Sequence, residues 1–215
     1  MKGSVWAGAI CLMLLAYSSA YPQGGAPSLD AGSVKDSTYT NSYFGMQLRI
    51  PEGWQVQDNE ATRALLERGK ALAAGDDKNL NSMYSASELR SLTLLTVFKH
   101  PLGSPVEFNP SFMCMVERIE GLPGLKNGSD YLFHVRKGLS LSKIQHSFEK
   151  EIYNQTVGGI VFGVLDTTLT IGTNTIHQKY FSTLLKGYAL SFIISFSSDQ
   201  ELQSHNKTIE SIRFR

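Results

Sequence analysis

Apolar and polar side chains alternate from Met46 to Ile50, with Gln47 and Arg49 between Met46, Leu48 and Ile50. That period of two predicts a strand with one buried face. Tyr39 to Tyr43 opens the folded part just before it; Gly45 marks a bend and Pro51 stops the strand. The period then lengthens. Leu65, Leu66, Gly69, Leu72 and Ala73 share one stripe of a helix from Glu60 to about Ala74, with Asp58 or Asn59 as the cap and Gly75 as the stop. Gly69 on that stripe predicts close backbone contact with a sheet. The polar stretch Gly75 to Ser87 reads as a loop. Leu89 to His100 and Ser111 to Ile119 are near-continuous apolar runs, which predicts strands covered on both faces.

The second half carries the same signals. Gly121 to Gly128 is a turn-rich connection, and Ser129 can cap a helix that places Tyr131, Val135 and Leu139 on one face. Four strands follow, Phe148 to Thr156, Gly159 to Ile171, Thr175 to Leu185 and Tyr188 to Phe196. A Gly-Thr-Asn turn near Gly172 and a two-residue Lys186-Gly187 turn make the last three an antiparallel meander. Ser198-Asp199-Gln200-Glu201 is a capping box, after which Leu202, Ile209 and Ile212 supply a helical stripe. The class is α+β, a mainly antiparallel central sheet flanked by helices. No 20 to 50 residue period appears, so a solenoid is excluded.

The N-terminus changes the picture. Lys2, the apolar run Val5 to Ala16 and the small residues Ser18-Ser19-Ala20 have the layout of a secretory signal peptide, and the run is too short to span a bilayer. Cleavage after Ala20 is expected, with no membrane span left behind and a secreted or periplasmic destination. Residues 21–37 are rich in Gly, Pro, Ser and Ala and are expected to form a flexible tail; residues 38–215 are expected to form one domain. The net charge of +1 includes Lys2, so the remainder is balanced and lacks the basic surface a nucleic-acid binder needs. Cys11 departs with the signal, which leaves Cys114 without an intrachain partner. Lipidation at Cys11 is disfavoured by the bulky Ile10 before it.

The string Tyr43-Phe44-Gly45-Met46-Gln47-Leu48-Arg49-Ile50-Pro51-Glu52-Gly53-Trp54 resembles the opening of PsbP-like domains, in which a strand carrying "YFG" runs into a "P-x-GW" turn. Lys186 to Phe196 followed by a capped helix is similar to the last hairpin and helix of the same superfamily. Between these strings the match is one of element order, over roughly residues 38–215. The resemblance implies an α/β/α sandwich with a central antiparallel sheet. Its members include an extrinsic subunit of the photosynthetic oxygen-evolving complex, a small-GTPase-binding protein and many secreted bacterial proteins, mostly binding or accessory modules. It supplies no site residue, because the matching strings serve the fold.

Candidate chemistry is sparse. Cys114 with any of His100, His134, His146, His177 or His205 could build a Cys-His hydrolase, but Phe112-Met113-Cys114-Met115-Val116 has no polar partner and reads as a buried strand. The histidines lack metal-binding spacing, so no catalytic, cofactor or metal residues are assigned. Asp76-Asp77 and Asp166 would need further carboxylates to hold a cation. Gly158-Gly159 precedes a strand and reads as a strand start or bulge rather than a phosphate loop. Trp54 reads as closing the core edge in preference to an exposed recognition aromatic. Asn127, Asn154 and Asn206 stand in N-glycosylation sequons. The expected function is a secreted, monomeric, non-enzymatic module without a cofactor, binding a protein partner or small ligand through a sheet edge or the Gly75 to Ser87 loop. The alternative is a hydrolase whose His and carboxylate groups converge only in three dimensions.

Overall fold

The computed structural model describes residues 29–122 and 124–215. The expected signal peptide and residues 21–28 of the expected tail lie outside the described residues. Strands β1 (Ser33–Lys35), β2 (Thr38–Asn41) and β3 (Met46–Arg49) lead to β4 (Gln55–Val56), α1 (Asn59–Ala74) and α2 (Lys78–Glu88). Next come β5 (Ser91–Phe98), β6 (Ser111–Arg118), α3 (Gly128–Leu141), β7 (Gln145–Ser147) and β8 (Tyr153–Val157). The chain closes with β9 (Ile160–Ile171), β10 (Asn174–Leu185), β11 (Tyr188–Phe196), α4 (Asp199–Ser211) and β12 (Arg213–Phe214).

The large sheet runs β4-β5-β6-β11-β10-β9-β7, with β8 also paired to β9, and its pairings are antiparallel. Alternate residues feed its two faces. In β6, Met113 and Met115 join Tyr131, Leu132, Val135 and Leu139 of α3 and Leu80 and Tyr84 of α2 in one apolar cluster. Phe112, Cys114 and Val116 point the other way and join Tyr39, Met46, Leu48, Ile209 and Ile212 in a second. The central strands are therefore buried on both sides, which is why they read as continuous apolar runs.

That second face carries a structure the periodicity did not predict. β1, β2, β3 and β12 form a separate four-stranded sheet, packed beside α4. The N-terminal strands thus cover the main sheet instead of extending it. Residues 33–35, expected within the flexible tail, are strand β1, because the ladder Ser33 to Thr40, Val34 to Tyr39 and Lys35 to Thr38 satisfies backbone groups that sequence composition does not report.

Further expectations are corrected. The Gly75 to Ser87 loop is largely α2: the Asp77 side chain accepts hydrogen bonds from the amides of Asn79 and Leu80, and Leu80, Tyr84 and Ser87 form its buried stripe. The expected strand Phe148 to Thr156 is replaced by β7 and β8, with residues 148–152 in neither. The Gly158-Gly159 pair is the tight turn between β8 and β9, both residues at positive φ. The cap of α3 is Asn127, two residues before the expected Ser129, and its side chain accepts from the Asp130 amide.

Asp58 and Ser198 cap α1 and α4 as expected. The two strings that carry the family resemblance meet in space: Tyr43 and Phe44 pack edge-on against Tyr188, and Lys186 donates to the Tyr43 carbonyl at 2.6 Å.

Candidate functional site: a cleft between two helices and the sheet

A cleft of about 420 Å³ lies where α1 and α2 cross β5 and β6. Its origin is side-chain size. α3 fills the space over β9 and β10 with Tyr131, Leu132, Val135 and Leu139, whereas the facing positions over β5 are Ser91, Thr93, Thr62 and Ser87, too short to close the gap. Leu66, Leu92, Tyr84 and Met115 make the remaining wall apolar. A bulge in β5 shapes one side: Thr93 pairs with Met115 and Leu95 with Cys114, which leaves Leu94 as the extra residue and turns Leu94 and Leu95 together into the opposite core.

Charges stand at the mouth. Lys70 donates to Glu88 of α2 at 2.8 Å and lies 2.9 Å from Glu67, one helical turn away on its own helix. Burial alone would lower the pKa of Lys70, but its bonds to Glu88 and Glu67 outweigh this and raise it, so the ammonium is fixed as a bridge between the helices. Arg63 lines the same cleft, with no salt bridge or hydrogen bond to it among the described residues.

A second cleft of about 420 Å³, between β9, β10 and the start of α4, is more polar. Thr168 Oγ1 and His177 Nδ1 are 3.0 Å apart there, across the β9–β10 ladder, and the imidazole stacks on Phe196. Asp166 does not complete a triad: its carboxylate takes Lys179 at 2.8 Å and Lys150 at 3.6 Å.

The residues singled out from sequence are scattered. Cys114 is buried in the apolar cluster on the sheet face opposite α2 and α3, and burial pushes its thiol pKa up, so the reactive thiolate is disfavoured. His205 is also buried. It donates from Nε2 to the Ser195 carbonyl at 3.0 Å, its Nδ1 meets no partner among the described residues, and burial lowers its pKa to about 4. Trp54 is half-buried with its ring edge-on to His205 at 5.1 Å, closing that side of the core.

Asp77 is spent on capping α2 and Asp166 on lysines. Among the described residues no group of three or more His, Cys, Asp or Glu side chains could hold a metal. No described helix is long and apolar enough to cross a membrane.

One ionisable residue escaped the sequence reading. Glu117 on β6 is fully buried and accepts a 2.8 Å bond from the Tyr131 hydroxyl, and its Oε1 meets no partner among the described residues. Burial raises its pKa to about 7, against smaller lowering effects of Tyr131 and Arg90. The signal was present, since a carboxylate inside a strand expected to be covered on both faces needs a special environment.

No family model matches the sequence, and no curated protein matches it significantly. Among solved structures, the cyanobacterial PsbP protein CyanoP of Synechocystis sp. PCC 6803 overlays with a TM-score of 0.50 at 15% identity, covering 91% of this chain and 100% of that one. The chain has a PsbP-like fold. Two other structures overlay less closely. LpqN, involved in cell envelope biogenesis of Mycobacterium tuberculosis, gives a TM-score of 0.42 at 13% identity over 78% of this chain and 82% of its own. PA94 of Pseudomonas aeruginosa, a protein of unknown function and putative regulator, gives 0.37 at 12% over 74% and 82%. At these identities the likeness is one of fold and assigns no function to the cleft.

Proposed function

We propose that the protein is an extracytoplasmic, non-catalytic accessory module that binds a small, largely apolar ligand in the cleft between α1, α2 and β5. The observation that carries this reading is the cleft itself, about 420 Å³ with Leu66, Leu92, Tyr84 and Met115 on its wall beside the short side chains of Thr62, Ser87, Ser91 and Thr93, and with charged groups at its rim. Ligand sites have that volume and that composition. The segment expected from sequence to mediate binding, residues 75–87, supplies the α2 wall, although as a helix and not as a loop. The signal-like residues 1–20 support export, and one exported domain running from β1 to β12 is part of the proposal.

Native mass spectrometry of the protein isolated from its own host tests it. Wild-type protein is expected to carry a retained small molecule. Thr93→Trp, which places an indole in the cleft, is expected to be folded and to have lost that mass. An equal adduct on both proteins would place the ligand elsewhere, and no adduct on gently isolated wild type would refute a tightly bound ligand.

A further inference from the structure

We propose that the cleft takes a single-tailed amphiphile with an anionic carboxylate or phosphate head, the tail lying against Leu66, Leu92 and Met115 and the head on Arg63. This rests on the reading of the cleft as the binding site. Two features of the rim assign the polarity.

Lys70 is already neutralised by Glu67 and Glu88, and those two carboxylates leave that end of the cleft with excess negative charge, where an anion is repelled. Arg63 lies seven residues earlier on α1, roughly 10 Å away along the helix at about 1.5 Å per residue. Glu67 is the i+4 position that would ordinarily pair with Arg63, and it is turned to Lys70 instead. The guanidinium is thus a fork of donors at a ligand mouth that no carboxylate among the described residues fills, the geometry that takes carboxylate or phosphate in two hydrogen bonds.

The apolar surface does not end at the wall. Leu92 is 37% exposed at the cleft, and Leu89, outside the lining but next in sequence to the lining residue Glu88, is 91% exposed. An aliphatic chain emerging past β5 would cover apolar carbon that is otherwise in water.

Isothermal titration calorimetry on protein stripped of bound small molecules separates the parts of the proposal, with decanoate, decyl phosphate and the neutral decanol as probes, each below its micellar concentration. The anionic probes are expected to bind about tenfold more tightly than decanol, the worth of one charge-assisted contact at about 1.4 kcal/mol per tenfold. The tighter of the two anions names the head. Arg63→Gln should erase that tenfold and leave decanol unchanged, whereas Thr93→Trp should abolish binding of all three.

If decanol binds as tightly as the anions, or Arg63→Gln changes nothing while Thr93→Trp still blocks, the anionic head is wrong and the cleft reading stands. If Thr93→Trp leaves binding intact, the cleft reading itself fails. If none of the three probes binds, the amphiphile proposal is overturned.

Discussion

Replacing Gly128 with alanine is expected to destabilise the protein by about 3 kcal/mol or more, at the upper end of overpacking effects. A Cβ built there lies 1.7 Å from the Ser182 carbonyl oxygen, a backbone atom of β10 held on both sides by its ladders. The cross-strand partner of Ser182 is Gly163, whose own added Cβ would stand 2.6 Å from the Ser129 amide. Gly128 and Gly163 therefore let the first turn of α3 rest directly on the β9–β10 backbone.

Alanine at either site must push α3 off the sheet and open the contacts of Tyr131, Leu132 and Val135. Thermal unfolding should show a drop of roughly 6–12 °C for Gly128→Ala, at about 2–4 °C per kcal/mol for a chain of this size. Lys137→Ala on the exposed side of α3 should stay within a degree or two. The Gly128→Ala/Gly163→Ala double variant should cost less than the sum, because one outward shift of α3 relieves both clashes. A wild-type melting temperature for Gly128→Ala would mean that α3 does not sit on the sheet at this distance.

The second large effect is a pair of opposing pH dependences that conceal each other in the wild type. Glu117 has its folded pKa raised to about 7 from an ordinary 4.5, so between those values the unfolded chain releases a proton that the folded chain keeps. Its contribution to stability is therefore full below about pH 4.5 and is lost as pH rises towards 7. His205 is the reverse case. Its folded pKa is lowered to about 4 from 6.5, so the unfolded chain takes up a proton first, and stability is lost as pH falls from 6.5 towards 4.

Each shift corresponds to about 3 kcal/mol at about 1.36 kcal/mol per pH unit. From about pH 4.5 to 6.5 the two slopes have opposite sign and similar size. His146, whose pKa burial also lowers, adds to the histidine side. Glu117→Gln should therefore lose stability on acidification relative to wild type over this range. His205→Phe should lose it on alkalinisation relative to wild type. Urea unfolding at pH 4.5, 5.5, 6.5 and 7.5 measures both differences. Parallel curves for wild type and Glu117→Gln would show that the carboxyl is ionised in the folded protein and that Tyr131 does not hold it in an apolar site.

How much of this was legible depends on the range over which each signal acts. Caps and turns act locally, and Asp58, Ser198 and the Lys186-Gly187 turn stand where their side chains and backbone preferences predict. The alternation through Phe112 to Val116 shows that β6 is buried on both faces without revealing that one face meets a second sheet, since pairing of β12 with β3 joins residues more than 160 positions apart.

α2 was missed because Asn79, Asn81, Ser82 and Ser85 are weak helix formers whose polarity hides the three buried positions Leu80, Tyr84 and Ser87. The Gly128–Gly163 contact is invisible for the same reason as the second sheet: neither glycine has an unusual sequence environment of its own. The cleft is the hardest case. It exists because four short side chains from α1, α2 and β5 face one another, and a short side chain in a sequence does not say what it faces.

Hydrogen–deuterium exchange of the protein isolated from its host, before and after removal of bound small molecules, tests the central claim most directly. Faster exchange after stripping, confined to residues 59–74, 78–88 and 91–93, is the result predicted for a ligand held between α1, α2 and β5. Unchanged exchange in those segments, or a change confined to the α4 side of the sheet, would contradict it.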